Sequence, residues 1–74
     1  MELCAYINSY PRSQRAQRRR MLAAAHGVSE VTVRAWANGH RRHPCSIAAI
    51  EITETMTGGR VTRHDLRPDV FGKG

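Results

Sequence analysis

The sequence predicts a small all-α domain of four to five short helices. Three observations carry that expectation. Apolar residues near the start recur at three- and four-residue spacing. Residues 22–39 read LAAAHGVSEVTVRAWANG, an Ala-rich helix, a glycine-containing turn and a second short helix. Prolines and glycines fall between the periodic segments, where they stop and start helices. The chain of 74 residues has room for one small core, expected over residues 1–71 with a frayed end at 72–74. Only 5% of it is aromatic, so Trp36 is expected to supply a large share of that core.

The first helix is expected over Glu2 to Ser9. Leu3, Tyr6, Ile7 and Tyr10 share one face, and Pro11 stops it. The second starts near Ser13, its expected cap, and runs to Ala25. Its apolar stripe is thin: Ala16, Leu22, Ala23 and Ala25, with Met21 at the margin. Arginine stems must therefore cover part of the groove between helices. Gly27 suits the left-handed conformation that ends a helix. Ser29 caps a third helix from Glu30 to about Asn38, closed by Gly39. There Val33 and Trp36, with Val28 just before, face the core. Glu30, Val31, Arg34 and Ala35 face outward.

Pro44 is expected to open a fourth helix that runs to about Met56 and stops at Gly58-Gly59. Its apolar positions 47, 48, 49, 50, 52 and 56 exceed what one face needs. Either Ile47 and Ile50 face the core while Ile52 and Met56 face a partner, or the reverse. Dimerisation and cover by the C-terminal tail are both explanations of the surplus. In the tail, Val61 and Leu66 are expected to be buried. Thr62 is expected to cap a short helical turn limited by Pro68. Arg63 or Arg67 is expected to pair with Glu51 or Glu54.

Charge is distributed unevenly. The formal net charge is +6, and eleven of the twelve cations are Arg. Residues 12–43 hold eight arginines against Glu30 alone, whereas residues 44–74 balance. The excess therefore surrounds the helix-turn-helix, and Arg binds phosphate with a rigid fork of donors. This pattern points to duplex DNA, with the second helix of the motif in the major groove. Base reading falls to Ser29, Val31 and Thr32 in its first turn, and to Arg34 one turn on. Arg34 has the fork for guanine O6 and N7, and Val31 or the Thr32 methyl suits a thymine methyl. Glu30 either accepts from cytosine N4 or complements the positive end of the helix, and the second reading avoids repulsion by phosphate. Gln14, Arg15, Arg18 and Arg19, with Arg41 and Arg42 in the loop after the third helix, are the expected phosphate contacts.

Other classes fit less well. No apolar run reaches the ~18 residues of a membrane span. MELCAYINSYPR lacks the order of a signal peptide, so Cys4 and Cys45 are read as thiols of a cytoplasmic, nucleoid-associated protein. His40, His43 and Cys45 form H-x2-H-x-C, which has no second half and the wrong spacing for common zinc sites, so no metal or other cofactor is expected. No catalytic spacing of nucleophile and base occurs, and an enzyme is not expected. A chain without an aromatic platform is poorly equipped to read single-stranded RNA.

Gly27-Val28-Ser29 followed by Trp36 and Gly39 resembles the Cro/CI-like phage repressors. The run Gly58-Gly59-Arg60-Val61-Thr62-Arg63-His64-Asp65-Leu66-Arg67-Pro68-Asp69, with Leu3, Tyr6 and Ile7 at the start, is similar to the YdaS-type, Cro-like regulators of prophages, often labelled antitoxins. The resemblance implies a lambda-repressor-like fold, binding to an operator near the protein's own promoter, and self-association as a homodimer or higher assembly. The antitoxin label adds a second possibility, contact with a toxin partner. The chain departs from the pattern at His26, where an apolar residue or Cys is usual, and in the very basic Arg18–Arg20. The segment from Ile50 to Gly59 is longer, and either Glu51 or Glu54 stands at the family's acidic position.

Overall fold

The computed structural model describes residues 1–72. Its element order is α1 (Leu3–Asn8), α2 (Arg12–His26), α3 (Glu30–Asn38), α4 (Ile47–Met56), α5 (Arg63–Leu66) and α6 (Pro68–Phe71), with no strand among the described residues. The all-α expectation holds. The tail adds one helix more than expected, because Pro68 occupies the first position of α6 instead of merely limiting α5. Of the expected frayed end, Gly72 donates its N–H to the Pro68 carbonyl at 2.9 Å. Lys73 and Gly74 lie outside the described residues.

Helix α1 buries Leu3, Tyr6 and Ile7 on one face, as its spacing predicts. Helix α2 begins one residue before Ser13. Pro11 is its N-cap, and the Pro11 carbonyl accepts from the Gln14 N–H at 2.8 Å, so the first turn closes without a side-chain cap. The turn that follows matches expectation. Gly27 has φ 69°, and the Ser29 hydroxyl accepts from the Thr32 N–H at 3.2 Å, satisfying one of the orphan donors of α3.

Leu3, Tyr6, Ile7, Leu22, Ala23, Val33 and Val61 form the core, so the tail returns across the molecule to close it. Each fully buried aliphatic side chain there contributes about 1.5–3 kcal/mol. Trp36 is half-buried at the margin of this cluster and not at its centre. Two further core expectations fail: Val28 is 37% exposed, and Ala25 is exposed. Ala25 sits in the last turn of α2 and Val28 in the turn that follows it.

Helix α4 starts at Ile47, three residues after Pro44. Ser46 is the cap, its hydroxyl accepting from the Ala49 N–H at 3.3 Å. Pro44 lies instead in the non-helical stretch before it, and its carbonyl is bonded by the His43 ring at 2.8 Å. Ile50 is fully buried, whereas Ile47 is 51% exposed, so neither expected division of the α4 face is right. Ile52 and Met56 are half-buried and line a shallow apolar groove with Ala25 and Ala48.

The tail is held by polar geometry. Thr62 and Asp65 form a capping box on α5. Glu54 takes a two-pronged contact from Arg63, with Arg63 Nη2 3.0 Å from Oε1 and Nε 3.3 Å from Oε2. Arg67 pairs with Asp69 at 2.8 Å, not with a carboxylate of α4. No helix among the described residues is long and apolar enough to cross a membrane.

Candidate nucleic-acid interface

Helix α3 has nine residues and one fully buried side chain, Val33. Its packing turns Val31, Arg34 and Asn38 to the surface, and Val31 is 73% exposed. These residues lie three and four apart, so they form one row along the helix. Arg34 borders a small groove between α1 and α3, alongside Asn8, Arg19 and Asn38. Among the described residues Arg34 makes no ion pair. Asn38 was not singled out from the sequence as a base reader. Its position four residues after Arg34 was the available signal, and an Asn side chain there has the donor and acceptor to read adenine.

The other expected readers differ in what they have left to offer. The Ser29 hydroxyl is committed to the cap, and it also lies 3.0 Å from the Thr32 hydroxyl. Thr32 therefore presents mainly its methyl group. Glu30 is half-buried and bonded by Arg19 Nε at 3.3 Å. This pairing, together with its place in the first turn of α3, agrees with the reading of Glu30 as a complement to the helix end.

The six expected phosphate contacts separate into two groups. Arg15 is turned back onto α1: its Nε donates to the Tyr10 carbonyl at 3.0 Å and its Nη2 to the Asn8 carbonyl at 3.2 Å. The Asn8 carbonyl is one of the orphan acceptors at the end of α1, and the Tyr10 carbonyl lies just beyond it. The Arg18 guanidinium lies over the Tyr10 ring, 4.2 Å from its centroid, and its Nε is buried with no hydrogen-bond partner among the described residues. Arg19 holds Glu30. Arg42 is 77% exposed on its side chain yet bonds Asp69 at 3.0 Å. Gln14 and Arg41 are exposed, and no side-chain bond ties them among the described residues. Arg12 and Arg20, which sequence reasoning counted only as charge, are exposed beside them on α2.

A second cluster escaped the sequence altogether. His26 at the end of α2, Trp36 on α3 and His43 in the following loop pack ring against ring, with centroids 4.8–5.4 Å apart. The Nε2 atoms of both histidines converge on the Thr53 hydroxyl of α4, at 2.8 Å from His26 and 2.7 Å from His43. Burial pushes both imidazoles below their ordinary pKa; at His43 the bond to the Pro44 carbonyl opposes part of that shift and Arg67 adds to it, and at His26 the neighbouring His43 adds to it. His43 is buried with both nitrogens bonded, so it is turned away from the exposed His40 and Cys45. Both cysteines are free thiols. The signal available beforehand was His26 itself, a polar ring where the motif usually closes on an apolar side chain.

No curated protein and no solved structure matches the chain. A family model described as "Bacterial toxin YdaS" matches residues 18–74, a stretch that takes in most of α2 and all of the motif, α4 and the capped tail. The chain belongs to this YdaS family.

Proposed function

We propose that the protein is a sequence-specific regulator of transcription, a Cro-like repressor of a phage or prophage that acts in the cytoplasm on duplex DNA. Helix α3 enters the major groove. Arg34 and Asn38 read base edges, and Val31 and the Thr32 methyl contact thymine methyls. Arg41, Arg12, Arg20 and Gln14 contact phosphates on either side. The observation that carries this reading is the outward row of α3. It displays Arg34 without a carboxylate partner among the described residues, and the one acid of the motif, Glu30, is already neutralised by Arg19. A single short helix covers few base pairs, so specificity calls for a dimer on a two-fold operator with half-sites ~34 Å apart. The groove bordered by Ala25, Ile52 and Met56 lies off the α3 row and is the surface for that second copy.

That same groove favours a second reading, an antitoxin that contacts a toxin partner through α4. The word toxin in the family's description names neither a DNA target nor a protein partner, so it does not decide between the two readings. Titration of the protein against DNA from upstream of its own gene, with scrambled competitor and at two salt concentrations, separates them. Binding that survives competitor is the outcome expected of a specific regulator. Binding abolished equally by competitor and by salt would refute it and turn the search to a protein partner.

A further inference from the structure

The hydrogen bonds around Thr53 assign the protons of both rings. His43 Nδ1 faces the Pro44 carbonyl at 2.8 Å, and a carbonyl only accepts, so Nδ1 carries the proton. In the neutral ring Nε2 is then an acceptor, and the Thr53 hydroxyl donates to it. The Thr53 oxygen is left to accept from His26 Nε2–H. The result is a directed chain: His26 donates to Thr53, Thr53 to His43, and His43 to the Pro44 carbonyl. It joins α2, α4 and the loop after α3, and both its rings pack against half-buried Trp36 of α3.

We propose that this chain is a proton-sensitive latch on the DNA-reading helix: it holds Trp36 and α3 in place while both histidines are neutral and releases them when they are protonated. The inference rests on the regulator reading for its consequence, though not for the latch itself. A proton on His43 Nε2 turns the acceptor of the Thr53 hydroxyl into a second donor aimed at the same oxygen. A proton on His26 adds a second charge beside it, with ring centroids 5.4 Å apart.

The surroundings supply no compensating anion. Arg67 faces His43 from the junction of α5 and α6, its Nη1 bonded to the His43 carbonyl at 3.1 Å, and Cys45 lies near that guanidinium. From α3 the uncharged Trp36 packs against the rings. On α4, Glu54 is taken by Arg63, and Glu51 lines the groove beside Ala25. Glu2 and Asp65, with Arg41 and Arg42, line a cavity that His43 also borders, and Asp65 is held by the N-terminal ammonium at 2.7 Å. Among the described residues no carboxylate bonds either ring.

The direction follows from linkage. An imidazole whose pKa is lower in the fold than its ordinary 6.5 contributes stability that is complete above that value. The contribution is lost as pH falls below 6.5 toward the folded value. Each histidine lowers the folding equilibrium constant by up to about tenfold per pH unit in that window. The latch makes DNA binding weaker in mild acid. Exposed His40, next to Arg41 and Arg42, is replaced in the test so that it adds nothing to the readout.

The test uses the full chain carrying His40→Gln, with and without His26→Phe, which keeps the ring packing and removes one titrating group. Unfolding equilibria and the emission of Trp36, the single tryptophan, are followed from about pH 8 to about pH 5. The expected result is a loss of stability with a red shift below about pH 6.5, its proton dependence roughly halved by His26→Phe, and weaker DNA binding in the same window. Equal proton dependence in both proteins, or a Trp36 emission unchanged across the range, overturns the latch. Should His26→Phe fail to fold, the ring-proton titration of the His40→Gln chain decides: His26 and His43 must titrate below the ordinary 6.5, and titration of both at or above that value overturns the proposal. A normal Trp36 transition without DNA binding at either pH supports the latch and removes the regulator reading alone.

Discussion

The arginines of the motif and the arginines of the tail have the same chemistry and opposite employment. In α5 and just after it, Arg63 and Arg67 each face a carboxylate within 3.0 Å and hold the tail against α4 and the preceding loop. In α2 and α3 the one ion pair among the described residues is the longer contact of Arg19 with Glu30, at 3.3 Å. Arg15 instead bonds backbone carbonyls and Arg18 covers an aromatic ring, while Arg12, Arg20, Arg34 and Arg41 stand at the surface. A count of positive charge cannot distinguish these uses. What separates them is the supply of carboxylates, which the C-terminal half has and the motif lacks.

The comparison is broken most directly at Arg34. Arg34→Ala is expected to cost about 1–3 kcal/mol of discrimination at one base position, measured as the ratio of operator to scrambled binding. Its melting temperature should stay near that of the parent, because Arg34 has no ion pair among the described residues. An unchanged binding ratio would remove α3 as the reading helix. Arg15→Ala should do the reverse. It deprives the Asn8 and Tyr10 carbonyls of their donor, so stability should fall by about 1 kcal/mol, and the salt dependence of DNA binding should hardly change. A reduced salt slope in thermally intact Arg15→Ala would return this residue to the phosphate contacts.

The tail gives a smaller effect with a pH signature. Arg63 holds the Glu54 carboxyl below its ordinary 4.5, and the terminal ammonium does the same for Asp65 below 3.8. A depressed carboxyl contributes stability above its ordinary value, and that contribution fades as pH falls through the folded value. Glu54→Gln should therefore lower the melting temperature modestly at neutral pH and converge with the parent in strong acid. A deficit that persists undiminished in acid would mean that Glu54 acts by packing and not by charge.

The motif was legible because local chemistry decides it. Gly27 alone accepts the left-handed turn at little cost, Ser29 supplies the cap oxygen, and Val33 has no other face to bury. The Thr62 cap was legible for the same reason, whereas the spacing left open whether Arg63 or Arg67 meets Glu51 or Glu54, and the fold brings Arg63 to Glu54. The start of α4 was not. Pro44 is a suitable first helical residue, but its carbonyl is held by His43, and the serine two residues on supplies the cap. Ala25 stays exposed because it borders the groove beside α4, and Val28 because it lies in the turn between α2 and α3 and not on a helix face. Of the interface, the row of α3 could be read from helical spacing. Which arginines remain open could not, because Arg15, Arg19 and Arg42 meet partners 5 to 27 residues away. The His26–Thr53–His43 chain was invisible for the same reason.

Arg42 belongs to neither class, and it offers the finest test of the comparison. It lies in the basic loop after α3 with an exposed side chain, yet its guanidinium is bonded to Asp69, which also takes Arg67. Arg67 pushes the Asp69 carboxyl down to about 2, so the acid is ionised at neutral pH. Asp69→Asn removes that competitor and should release Arg42 to phosphate. The expected result is tighter binding to operator and scrambled DNA alike, with the salt slope steeper by about 0.9, the contribution of one further phosphate. Arg42→Ala, by contrast, should hardly alter the slope in the parent and should cancel the gain in the Asp69→Asn background. If Arg42→Ala flattens the slope in the parent itself, Asp69 does not hold this arginine in solution, and the boundary between paired and open arginines must be drawn after residue 42.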